Sequence, residues 1–385
     1  MKTETQFILL CSRLTLEKKA EAKIKELAAR GLDWQAILSK SIKEKVLPLV
    51  FFNICKLSLT REIPEEILSE FNRINYGNIG QNILLYDELK NLLRWFNQAQ
   101  IDVIVLKGID YIERLYDKNI SLRAVGDIDL LVKDHDLLAV KNLLLAAGYV
   151  QKRGWFEQPH IDFHHLVPFQ NSKNNVMLEV HWTISMYEQI FKIDMTEVWQ
   201  RAQSHKLGAM KMLSLSPEDM IFHQCLHLFM VHQGILNLKN LCDLAEIIKR
   251  FMTVIDWELI FELCEQSEIN DLIYSGLYCV NELFQLQIPP FVLMQLQRQW
   301  PERKVQKINA AIQTSISLFS SRVSNDSFAR INWVFKPISK LKLLYLTFFP
   351  PLELLRKRYA VESNSSLVCF YYLVRPLQLL ILIFK

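Results

Sequence analysis

Two carboxylates one residue apart, Asp127 and Asp129, are the first residues of this chain that could do chemistry. They sit in Asp127-Ile128-Asp129-Leu130-Leu131-Val132, an apolar run short enough for a strand. Side chains of a strand alternate faces, so both acids project to one side and Ile128 and Leu130 to the other. With alpha carbons about 6.5 Å apart, the two carboxylates can converge on one hard cation. Two acids on one face are costly unless a metal or a base neutralises them, although solvated acids at a strand edge share the same pattern. A third acid, Glu179, lies in Val176-Met177-Leu178-Glu179-Val180-His181-Trp182. Alternation puts Met177, Glu179 and His181 on one face there. Among such neighbours an unpaired carboxylate is expensive, so Glu179 needs a salt bridge or a metal.

These residues need elements to position them. Asp102-Val103-Ile104-Val105-Leu106 reads as a buried strand, followed by the Lys107-Gly108 turn and a helix from about Ile109 to Tyr116. Gly108 lets the backbone approach a ligand, and a helix start offers free N–H groups to an anion. Arg123 and Gly126 lead into the acidic strand, and Asp134 can cap a helix that Gly148 ends. His164 to Gln170 is a further strand candidate. Upstream, Thr15, Asp33, Pro48 and Pro64 mark helix starts, and the first hundred residues carry no chemical motif. Downstream, Ser216-Pro217-Glu218-Asp219 opens a helix carrying His223, His227 and His232. His223 and His227 share a face as metal ligands do, but no Glu accompanies them in the metalloprotease manner, and a structural role is expected. Asp256-Trp257 faintly echoes Asp33-Trp34.

Composition narrows the class. With 385 residues, 50% of them hydrophobic and 22% charged, the chain is globular and longer than one ordinary domain. From Pro301 to Lys385 there are 13 basic against 4 acidic residues. That asymmetry suggests an acidic neighbour. The apolar tail Leu367 to Phe384 is interrupted by Arg375, Pro376 and Gln378. With Arg356-Lys357-Arg358 nearby, it could lie on an anionic membrane surface or dock on the body as a C-terminal helix. Seven cysteines without Cys-x-x-Cys fit a reducing cytoplasm, and Met1-Lys2-Thr3-Glu4 does not open like a signal peptide. No aromatic-basic interleaving near the acids supports a nucleic-acid partner.

Together, Leu106-Lys107-Gly108, Arg123-x-x-Gly126-Asp127-Ile128-Asp129-Leu130-Leu131-Val132 and Leu178-Glu179-Val180-His181-Trp182 resemble a poorly characterised nucleotidyltransferase-like family of the polymerase-beta superfamily. More loosely, the resemblance extends to Gly31-Leu32-Asp33-Trp34 and to the segment with His227, His232 and Asp243. It implies an α+β fold, with a small mixed-sheet nucleotidyltransferase core flanked by mostly helical regions. The expected boundaries are a helical region over 1–98, the core over 99–215, a helical region over 216–300 and a basic, apolar region over 301–385. The resemblance also implies that Asp127, Asp129 and Glu179 hold Mg²⁺, and that Lys107, Gly108 and Arg123 lie near the phosphates of an NTP, ATP being the one expected. The reaction would move a nucleoside monophosphate to a hydroxyl of a small-molecule, peptide or glycan acceptor. Many members of the superfamily carry Gly-Ser at the turn where this chain has Gly108-Ile109. That departure keeps open a non-catalytic binding or adaptor protein with a degenerate core. The expected location is cytoplasmic, with peripheral membrane attachment through the tail. Clustered acids alone further imply that Asp129→Asn relieves repulsion and stabilises the metal-free protein slightly.

Overall fold

The computed structural model describes residues 3–151, 164–185, 191–231, 237–321, 345 and 349–361. The architecture is α+β, a seven-stranded mixed sheet with helical regions before and after it. Contacts gather the chain into two units. One comprises Met1–Ile83, Asp110–Val125 and Pro217–Val334; the other comprises Leu84–Ile109, Gly126–Ser216 and Phe335–Lys385.

The first unit is helical, and its helix starts follow local chemistry. Asp33 accepts a hydrogen bond from the Ala36 amide, and Asp256 does the same for Leu259. Thr15 is not the cap expected of it: Glu17 precedes Lys18–Ala29 and makes no side-chain capping bond. The unit buries an ion pair. Arg123 donates from Nε and Nη2 to the two oxygens of Asp243 at 2.9 and 2.8 Å, and Tyr116 Oη donates to the same carboxylate at 2.8 Å. Burial would lower the Arg123 pKa, but the Asp243 charge and hydrogen bonds outweigh it and hold the pKa above its ordinary value. Asp243→Asn leaves that guanidinium buried without a counter-charge. We expect it to lower unfolding free energy by about 3 kcal/mol, measured in urea. An unchanged midpoint would show that the pair contributes nothing.

The second unit holds the sheet. Its strands are β1 (Ile104–Leu106), β2 (Ile128–Leu131), β3 (Tyr149–Gln151), β4 (Phe169–Asn171), β5 (Met177–His181), β6 (Gln203–Leu207) and β7 (Met210–Ser214). Their order is β3-β4-β5-β2-β1-β7-β6. The central pairs carry the candidate acids: β2 runs antiparallel to β1 and parallel to β5. Ile128, Leu130, Leu178 and Val180 are buried, as alternation requires of the face opposite the acids. At one edge, Glu88 of the long helix Glu65–Gln98 accepts hydrogen bonds from Tyr149, Asn171 and Asn174. A buried carboxylate with three donors ties β3 and β4 to that helix. The segment His164 to Gln170 is mostly not a strand. Only Phe169 and Gln170 of it enter β4, while His165 forms an isolated antiparallel bridge to His181.

Candidate metal and phosphate site

Register brings the acids together. Asp129 of β2 stands directly opposite Glu179 of β5, and Leu131 opposite His181. Directly paired residues on adjacent strands share a face, and His181 lies two residues beyond Glu179 on it. One ligand atom each from Asp129, Glu179 and His181 lies within 4.8 Å of the others. The His181 Nε2 is 3.3 Å from Asp129 Oδ1 and 3.7 Å from Glu179 Oε2. Two carboxylates and an imidazole nitrogen at that spacing suit a divalent ion.

Lys107 completes the group. Its Nζ lies 3.2 Å from Asp129 Oδ2, and its backbone φ of +46° is followed by +45° at Gly108. A lysine in the left-handed region is strained, and such strain gathers at functional sites. Here it accompanies a turn that aims the ammonium at the acids.

Charge in this cluster is divided unequally. Burial acts to raise the Asp129 pKa, but Lys107 and then His181 outweigh it and hold the carboxyl well below the usual range. The Glu179 carboxyl is pushed up to about 7, by burial first and then by the charges of Asp129 and Asp127; His181 and Lys107 oppose the rise. Asp129 is thus firmly ionised, while Glu179 exchanges its proton near neutrality.

The structure sorts the expected residues. Asp129, Glu179 and Lys107 come together, and Gly108 forms the turn beside them. Asp127 is exposed and precedes β2; its charge acts on Glu179, but it is not among the three groups within 4.8 Å. Arg123, for which the resemblance implied a phosphate contact, has its guanidinium on Asp243 in the helical unit. Ile109 is buried, so the turn offers no hydroxyl where Gly-Ser would. His181, which joins the two acids, was not among the expected site residues, although its place on the Glu179 face was visible in the alternation. His223 is buried and His227 lies beside Asn240; His232 falls outside the described residues.

A family model described as an uncharacterised nucleotidyltransferase matches residues 30–285. The chain belongs to that family. Nucleotidyl transfer is therefore its activity class, and an NTP its class of substrate. No curated protein matches the chain. Among the described residues no helix is long and apolar enough to cross a membrane.

Proposed function

We propose that this nucleotidyltransferase moves a nucleoside monophosphate from an NTP, with ATP as donor, to a hydroxyl of a small-molecule, peptide or glycan acceptor. The observation that carries the reading is the in-register pair Asp129 and Glu179 with Lys107 against it. Asp129, Glu179 and His181 would hold the divalent ion, Mg²⁺ in this reading, and Asp127 would join them at the mouth of the cluster. Such an ion supplies positive charge to the triphosphate and acidifies a hydroxyl. The chain's own groups do the rest. Lys107 is placed to take up phosphate charge, and the Gly108 backbone permits close approach. Glu179, ionised when it holds the ion, would complete the side of the site that faces the attacking hydroxyl.

Calorimetry with each NTP tests this. We expect nucleotide binding to require Mg²⁺ or Mn²⁺ and to weaken at least about tenfold in Lys107→Met. Nucleotide that binds equally well without metal would favour the non-catalytic adaptor instead.

The tail Leu367–Lys385 lies outside the described residues. We assign it peripheral attachment to an anionic membrane from the cytoplasmic side. Cosedimentation with phosphatidylserine vesicles should be lost on deleting the tail and weakened by high salt. Intact protein that stays in the supernatant at low salt would end this assignment.

A further inference from the structure

A residue beside the candidate metal cluster, His165, is braced by a part of the chain that the family match does not include. The match ends at residue 285, whereas the helix Leu352–Tyr359 lies beyond it and belongs to the unit that holds the sheet. The helix is fastened there at several points. Lys141 Nζ donates to the Tyr359 carbonyl at 2.7 Å, Lys357 pairs with Asp134 at 2.7 Å, and the Val167 amide donates to the Arg358 carbonyl at 3.2 Å. From sequence, Arg356-Lys357-Arg358 reads as a solvated basic cluster facing an acidic partner. Arg358 is instead 4% exposed.

A buried guanidinium must spend its donors on fixed acceptors. Arg358 Nη1 donates to the carbonyls of His165 at 2.6 Å and Leu166 at 3.1 Å, and lies 2.8 Å from His165 Nδ1. These bonds matter because His165 sits in a segment with little ladder of its own. It has one bridge to His181, flanked by Leu166 N to Val180 O and Trp182 N to His164 O. The bridge puts the His165 ring on the site's face, 5.2 Å from the His181 ring, with Nε2 3.9 Å from Glu179 Oε2. Contact therefore runs from Arg358 through His165 to Glu179.

We propose that Arg358 is a positioning residue for the metal cluster, acting through His165 to fix the Glu179 carboxylate, so that the helix Leu352–Tyr359 is part of the functional unit. The proposal rests on the divalent-ion reading given above. Removing an outer partner of a metal ligand typically costs ten- to a hundredfold in affinity.

The test uses the full chain and Mn²⁺ alone as probe, with binding followed by electron paramagnetic resonance. We expect Arg358→Met and His165→Asn each to weaken Mn²⁺ about tenfold, and Arg358→Lys to recover part of the loss. The double variant His165→Asn with Arg358→Met should bind no more weakly than the poorer single variant, because both act on one path. Additive losses in the double variant would instead assign Arg358 a general structural role and overturn the proposal. Thermal melting reports whether each variant folds. Should Arg358→Met fail to fold, His165→Asn and Arg358→Lys decide: wild-type affinity in both overturns the proposal. Wild-type protein that does not bind Mn²⁺ at all would remove the divalent-ion reading and this proposal with it. Wild-type binding with unaffected variants removes the positioning role alone.

Discussion

Asp129→Asn should abolish nucleotidyl transfer, with a loss of at least about a thousandfold, while the sheet stays folded. The loss corresponds to several kcal/mol of transition-state stabilisation, the scale on which a metal-phosphate site acts. Asparagine keeps the size and one carbonyl acceptor but gives up the charge that a hard, strongly hydrated ion requires. The effect on metal-free stability has the opposite sign to the one that repulsion among clustered acids implies. Lys107 and His181 both contact Asp129, and its pKa is held well below the usual range, so its charge stabilises the folded state. Asp129→Asn should therefore melt lower without metal, by a free-energy loss of about 2 kcal/mol. Melting alone cannot separate an ion-pair role from a metal role, because both lower it. Binding separates them: Mg²⁺ with NTP should raise the melting temperature of the wild type and leave the variant unmoved. Equal stabilisation of both proteins would exclude Asp129 as a ligand.

Glu179→Gln should weaken divalent-ion binding about a hundredfold and remove the part of its pH dependence that comes from this carboxyl. In the wild type, a proton competes with the metal below pH 7, so affinity should fall about tenfold for each further pH unit. The same shift sets a stability difference between the two proteins. Because the folded carboxyl keeps its proton up to about 7, whereas an unfolded glutamate releases it near 4.5, the folded state binds more protons between those values. Wild-type stability from this group is full below 4.5 and is lost as pH rises through 7. His165 acts oppositely: burial, then Arg358, depresses its pKa below 6.5, so its contribution is lost as pH falls through the lowered value. A melting curve of one protein mixes the two trends. Subtracting wild type from Glu179→Gln cancels His165 to first order, and the metal-free difference should then grow in favour of the variant from pH 5 to 7.5. Parallel curves over that range would contradict a raised Glu179 pKa.

Alternation made Asp129 and Glu179 legible in the sequence, because a period of two fixes the face of each residue on β2 and β5. Which strands would be neighbours was not legible from alternation, and the pairing of Asp129 with Glu179 came from the resemblance. Asp127 stands one residue before β2, which starts at Ile128, so alternation alone does not fix its distance from the other two acids. His181 stood on the right face, but its ring could equally have been packing. His165 was hidden because one isolated bridge leaves no periodic signature, and Arg358 because three basic residues in a row look like a solvated surface. Outer strands escaped for a related reason. Gln203-Ser204-His205-Lys206-Leu207 of β6 is polar and half exposed, so its composition matches a loop's. The partner of Arg123 was not legible either, because Asp243 lies 120 residues away in sequence.

The parallel pairing of β2 with β5 has a kinetic meaning. Asp129 and Glu179 are fifty residues apart in sequence, and parallel neighbours cannot be joined by a tight turn. Bringing them into register means closing a long loop, at an entropic cost of roughly 3.5 kcal/mol. The histidines at His223 and His227 differ, since one helical turn alone sets them side by side. Of the three clustered residues, a growing chain thus holds at first only Asp129. Glu179 and His181 then arrive together on one strand, so a single closure event delivers both.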